Sequence, residues 1–165
     1  MYLQATMMHV WSPRGQTPIV RVDPGREKAG FYGTLDLRTS CEIVMRSPVF
    51  NAATSAQHLE QILAAYPDVP ILLLWDRASW HQGPEIREVL DRNPRLEIMR
   101  YPVAAPDLNP QERVWKLTRR AVSHNHTLPK LPELADHFEA HLKDHTFDIA
   151  FLDRYDFYSI CSMSN

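Results

Sequence analysis

The spacing of apolar and polar residues changes period several times along this chain, and each change predicts an element. Val69-Pro70-Ile71-Leu72-Leu73-Leu74-Trp75 is a nearly unbroken apolar run closed by Asp76, which reads as a buried strand over Ile71 to Trp75. Just before it, Leu59, Ile62, Leu63 and Tyr66 recur at helical spacing, predicting a helix from about Ser55 to Tyr66. Just after it, Pro84 to Arg92 suits a short helix and Leu96 to Tyr101 a second strand. Nearer the start, Gly30 to Leu37 and Cys41 to Arg46 read as two strands joined as a hairpin through Asp36-Leu37-Arg38-Thr39-Ser40. Two helices close the pattern, one from Pro110 to about Ser123 and one from about Leu131 to Leu142. The second repeats Leu131, Leu134, Ala135, Phe138 and Leu142 on one face.

Together these elements predict an α/β fold with an antiparallel first half and a parallel second half. The strand–helix–strand crossover favours parallel pairing, and the apolar density of Ile71 to Trp75 suits a central strand. Met1 to Val10 fits the end of a further strand, followed by a turn-rich loop from Trp11 to Pro18. The last twenty residues are aromatic and acidic and match no element. The expected organisation is one domain over residues 1–145 and a tail over 146–165.

Composition narrows the function classes. The 165-residue chain is 44% hydrophobic and 23% charged, as soluble globular domains are, and it is too short to expect two domains. No apolar run approaches the roughly 20 residues of a membrane span. Met1 to Val10 lacks the basic start and apolar core of a signal peptide. Cys41 and Cys161, the two cysteines, have no metal-ligand spacing, so a reduced cytoplasmic setting is expected. The net charge of −2 argues against a free-standing non-specific DNA binder, so nucleic-acid contact must come from a local patch.

In open α/β sheets ligands gather beyond the carboxyl ends of parallel strands, which is where Asp76 falls. A carboxylate there needs a partner, and a metal ion, Arg77, His81 or loop amides would each serve. Glu112 lies in the first turn of the helix opened by Asn109 and Pro110. It fits a capping box with Asn109, an ion pair with Lys116, or a metal ligand favoured by the helix N-terminus. His81 could touch a scissile phosphate or an attacking water, or hydrogen-bond a carboxylate structurally. Lys116, Arg119 and Arg120 could follow a DNA backbone or form the polar face opposite Val114, Leu117 and Ala121. In the early loop, Trp11 and Arg14 could meet bases or phosphates, though an indole is more often buried. His137, His141 and His145 recur every fourth residue, a pattern better suited to a solvated helix face than to a zinc site.

Certain of these residues also resemble a known family. Trp75-Asp76-Arg77-Ala78-Ser79-Trp80-His81, then Tyr101-Pro102, then Pro106-Asp107-Leu108-Asn109-Pro110-Gln111-Glu112-Arg113-Val114-Trp115 resemble the catalytic domain of DDE transposases, in the insertion-sequence branch related to mariner elements. Trp11 to Gln16 and Gly30 to Leu35 resemble that family's early segments, and the likeness runs from about Tyr2 to Leu142. It implies a ribonuclease-H-like mixed sheet flanked by helices. It also implies Mg2+, with Mn2+ as a substitute, held by three acids for DNA strand cleavage and strand transfer. Asp76 would be the second acid and Glu112 the third, both catalytic and metal-binding. Trp11, Arg14, His81, Asn109, Lys116, Arg119 and Arg120 would contact DNA. The implied partners are transposon ends and target DNA, with a second copy or a full-length transposase as possible protein partners. Two departures stand out. Arg77 replaces the family's usual Asn, and the first acid belongs just before the segment that Tyr2-Leu3-Gln4 resembles. The expectation is therefore a truncated copy, weakly active or inactive, or a remnant that binds DNA or the intact transposase.

Overall fold

The computed structural model describes residues 12–16, 28–103, 108–124 and 130–148. Its first unit is the hairpin of β1 (Gly30–Leu35) and β2 (Glu42–Ser47), paired antiparallel with Leu35 opposite Glu42 and Gly30 opposite Ser47. Successive strand residues point to opposite faces, and here both faces are used. Phe31, Gly33, Glu42, Val44 and Arg46 face one helical layer, where Phe31 stacks on Phe138 at 5.3 Å and Arg46 pairs with Asp136 at 2.7 Å. Tyr32 and Thr34 face the other layer, with the Tyr32 hydroxyl 3.1 Å from Ser55 Oγ and Thr34 Oγ1 2.9 Å from His58 Nε2.

The layer on the Tyr32 side begins with α1 (Ala52–Ala65) and continues through β3 (Ile71–Trp75), α2 (Pro84–Arg92) and β4 (Leu96–Arg100). β3 and β4 pair in parallel, Ile71 opposite Leu96 and Trp75 opposite Arg100, as the crossover required. Leu59, Ile62 and Leu63 of α1 and Ile86 and Val89 of α2 pack with Leu73 and Leu96 into one buried cluster. On the Phe31 side, α3 (Pro110–Thr118) and α4 (Leu131–Asp144) contribute Val114, Leu134, Ala135, Phe138 and Leu142 to a second cluster. No helix among the described residues is long and apolar enough to cross a membrane.

Element ends depart from the sequence reading: β1 stops at Leu35 rather than Leu37, α4 runs on to Asp144, and two further ends have a visible cause. α1 starts three residues before Ser55, because Asn51 and Thr54 form a reciprocal capping box: Thr54 N–H donates to Asn51 Oδ1 at 2.8 Å, and Asn51 N–H to Thr54 Oγ1 at 3.1 Å. Asn51→Ala is expected to cost about 1 kcal/mol in urea unfolding. Beyond Thr118, the expected α-helix widens into a π-helical turn over Arg119–Ser123, in which His124 N–H reaches the Arg119 carbonyl at 2.9 Å. The predicted strand at Met1 to Val10 lies outside the described residues.

Candidate metal and nucleic-acid site

β3 delivers Asp76 because its last residue, Trp75, is tied into the sheet: Tyr101 N–H donates to the Trp75 carbonyl at 3.0 Å. The chain then turns, and Asp76 Oδ1 accepts the Ala78 N–H at 3.0 Å. A single turn of 3-10 helix, Ser79–His81, brings His81 back, with Nδ1 2.7 Å from Asp76 Oδ1. The His81 ring stacks on Trp75 at 4.1 Å and meets the edge of Trp80. The imidazole is buried while the Asp76 side chain is 50% exposed, so the carboxylate is braced from behind and open in front. The close His81 contact, then the Ala78 amide, hold the Asp76 carboxyl below the usual carboxylate range despite partial burial. Burial and the Asp76 charge push the Tyr101 phenol up to about 12.

Arg100, at the end of β4, completes this arrangement, and nothing in the sequence reading singled it out. Its guanidinium donates to the Asp76 carbonyl at 3.2 Å and to the His81 carbonyl at 2.9 Å, and lies 5.7 Å from the Trp75 ring centre. The available signal was a cation closing β4 beside the strand that leads into Asp76. Arg77 turns the other way and donates from Nε to the Tyr101 carbonyl at 2.9 Å.

Glu112 occupies the first turn of α3, where Pro110 takes the first helical position and Asn109 caps. The capping box read from the sequence is not the bond that forms. Asn109 Oδ1 accepts from Gln111 N–H at 3.0 Å, and Glu112 N–H donates to the Asn109 backbone carbonyl at 3.2 Å. The Glu112 carboxylate is exposed and makes no hydrogen bond or ion pair among the described residues, with Lys116 or otherwise. Its neighbour Gln111 is fixed at both ends: Oε1 accepts the Leu35 N–H at 3.1 Å, and Nε2 donates to Glu42 Oε1.

Glu42 was not flagged by the sequence, although the alternation of Glu42, Val44 and Arg46 put it on the packed face. It is 7% exposed, and burial pushes its carboxyl up to about 8. Lys116 and Arg120 are exposed and Arg119 is half-buried, and their side chains make no ion pair among the described residues. Arg14 is displayed on a turn closed by Gln16 N–H to the Pro13 carbonyl at 3.0 Å, with Gly15 at φ 90° supplying the left-handed step. Trp11 lies outside the described residues. Asp76, His81 and Arg100 are thus brought together, as are Asn109, Gln111 and Glu42, while Glu112 follows Gln111 in α3 with no side-chain partner among the described residues. Among the described residues no three His, Cys, Asp or Glu side chains are grouped to hold a metal. His141 and His145 of the histidine ladder instead form a ring cluster with Phe147, the two imidazoles tilted 4.8 Å apart and His145 edge-on to Phe147.

Comparison with known proteins adds three kinds of likeness. A family model described as DDE superfamily endonuclease matches residues 2–135. An insertion element IS630 uncharacterized 39 kDa protein from Shigella sonnei is 28% identical over 126 residues, covering 75% of this chain and 36% of that protein. Among solved structures, a Mos1 transposase paired-end complex with left transposon end aligns at a TM-score of 0.66 and 16% identity, covering 92% of this chain and 47% of that one. The Mos1 mariner paired end complex with Mn aligns at 0.65 and 14% identity, covering 94% and 51%. The fold is therefore shared with these proteins, as the α/β reading expected, and this chain spans about half the length of each solved relative.

Proposed function

The chain belongs to the DDE superfamily of endonucleases, and from that premise we propose that it is a transposase domain that cuts and joins DNA strands by metal-dependent phosphoryl displacement. Asp76 carries the reading: it stands at the carboxyl end of a parallel strand, half exposed, with its charge favoured by the His81 contact. Glu112 supplies the second carboxylate from a helix N-terminus, where the positive end of the helix dipole favours its ionised form. Hard oxygen donors open to solvent fit Mg2+ or Mn2+, and Asp76 Oδ2 makes no hydrogen bond among the described residues. A divalent cation held there would neutralise charge on the reacting phosphate and on the leaving oxygen. The Mn-containing and DNA-end complexes of the Mos1 relatives support both choices of ligand.

The protein's own side chains do the positioning. His81 holds the Asp76 carboxylate in one orientation, and Arg100 holds the loop that carries both. Asn109 fixes the start of α3, so we assign it a role in placing Glu112. Lys116, Arg119, Arg120 and Arg14, together with Trp11, are proposed to meet the phosphate backbone and bases, which would set register rather than sequence preference. Only two acids, Asp76 and Glu112, are assigned to the metal, so weak activity is proposed for this chain alone. A second copy or a full-length transposase is the proposed protein partner.

Nicking of supercoiled plasmid in Mn2+ tests the assignment, with Asp76→Asn and Glu112→Gln in parallel. Nicking above background that disappears in both variants and in chelator is the expected result. Equal nicking, or none, in all three proteins would remove the catalytic assignment and leave a module that binds DNA or a transposase.

A further inference from the structure

We propose that Gln111 and Glu42 are positioning residues that place Glu112 by locking the first turn of α3 onto the turn end of the β1–β2 hairpin; this rests on Glu112 being a metal ligand, as proposed above. Leu35 and Glu42 are direct partners across the hairpin. The Gln111 carboxamide spans that pair, accepting from the Leu35 N–H and donating to the Glu42 carboxyl. The Gln111 backbone N–H is held by Asn109, so the residue before Glu112 is fixed on three sides.

Glu112 has no such anchor of its own: its side chain is exposed and unpartnered among the described residues. Whatever sets its direction must act through the backbone of the first turn, and Gln111 is the residue that does so. Glu42 is a costly choice for simple packing. It is buried, and its second oxygen, Oε2, has no hydrogen-bond partner among the described residues. Burying such a group without a partner is unfavourable, and an apolar side chain would fill the space more cheaply. What an apolar residue cannot supply is an acceptor for Gln111. Gly33 completes the geometry, because it leaves open the space into which Gln111, Glu42 and the Trp115 ring converge.

Loss of the partners that orient a metal ligand commonly weakens metal affinity roughly 10-fold. Free Mn2+ measured by electron paramagnetic resonance during titration of the whole chain reads this without relying on turnover. Gln111→Met keeps the bulk and loses both hydrogen bonds, and it is expected to weaken Mn2+ binding by about that factor while circular dichroism stays unchanged. Glu42→Ala should behave alike, and Glu42→Gln, which keeps an acceptor of the same shape, should bind as the wild type does. In a Glu112→Gln background, Gln111→Met should add no further loss, which a general weakening of the fold would not reproduce. Wild-type affinity in folded Gln111→Met beside weakened Glu112→Gln overturns the positioning role and leaves the metal assignment standing. Wild-type affinity in Glu112→Gln overturns the metal assignment itself, and the positioning role with it.

Discussion

Gly33→Ala should lower the stability of this chain by about 1–3 kcal/mol in urea unfolding followed by tryptophan fluorescence. The sign is the informative part. Alanine in place of an ordinary strand glycine is worth roughly 0.5–1 kcal/mol in the opposite direction, because it reduces the freedom of the unfolded chain. At Gly33 an added Cβ would stand 2.5 Å from Cη2 of Trp115 and 2.7 Å from Nε2 of Gln111, and closer still to Glu42 Oε1. Swinging Glu42 aside breaks its bond to Gln111, and moving the Trp115 ring moves α3, so the strain falls on the helix that carries Glu112. The same substitution in a Gln111→Ala background should cost less, since one of the three obstacles is gone and neighbouring changes do not add. A neutral or stabilising Gly33→Ala would show that the hairpin yields without disturbing α3.

The second large effect is a loss of stability between about pH 6.5 and about pH 8 that Glu42→Gln abolishes. Burial raises the folded Glu42 pKa from 4.5 to about 8, so between those values folding must take up a proton. Its contribution is fully present below the unfolded pKa and is lost as pH rises through the folded one. His58 works in the other direction: burial lowers its pKa from 6.5 to about 4, so it weakens the fold as pH falls through that interval. His141 is also lowered and acts in the same sense, while Asp36 and Asp76 shift below 3.8, and Tyr66 and Tyr101 move from 10.0 to about 12. Up to about pH 7.5 the unfolded histidines still bind protons and oppose Glu42, and above that Glu42 dominates these shifted groups. Relative to Glu42→Gln, where the histidine terms cancel, a slope near 1.4 kcal/mol per pH unit gives a loss of about 2 kcal/mol over that window. In thermal melts this is a fall of roughly 4–8 °C. An equal slope in wild type and Glu42→Gln would place the titration on another group.

The sequence showed most of the frame because the frame is set by period. The apolar run over Ile71 to Trp75, the Pro84–Arg92 helix and the repeating face of α4 each left a local signature, and the structure places them where the pattern did. Element ends were less legible. Asn51 and Thr54 make a capping box from residues that do not spell the usual Ser/Thr-to-Glu pattern, and a π-turn keeps the same apolar spacing as the helix it interrupts. Asp76 and Glu112 were visible because they stand at element ends in distinctive surroundings. Arg100, Glu42 and Gln111 were not, because what they do depends on residues far along the chain: Arg100 on the carbonyls of Asp76 and His81, Gln111 on Leu35 and Glu42. A side chain that works by bonding a distant backbone carries no periodic trace.

The Arg100 clasp has a bearing on how this site can diversify. One guanidinium holds the carbonyls of Asp76 and His81, the first and last residues of a six-residue segment, while the Trp75 ring backs the imidazole. The positions of the acid and its histidine are therefore decided outside the segment they bound, by β3 and β4. Within that segment Ala78 gives the acid a backbone N–H and the Trp80 ring meets His81, whereas the Arg77 side chain spends its Nε–H on the Tyr101 carbonyl rather than on Asp76. Side-chain change at position 77 is insulated from the acid, so an exchange as drastic as a short amide for a long cation becomes evolutionarily accessible without displacing the carboxylate beside it.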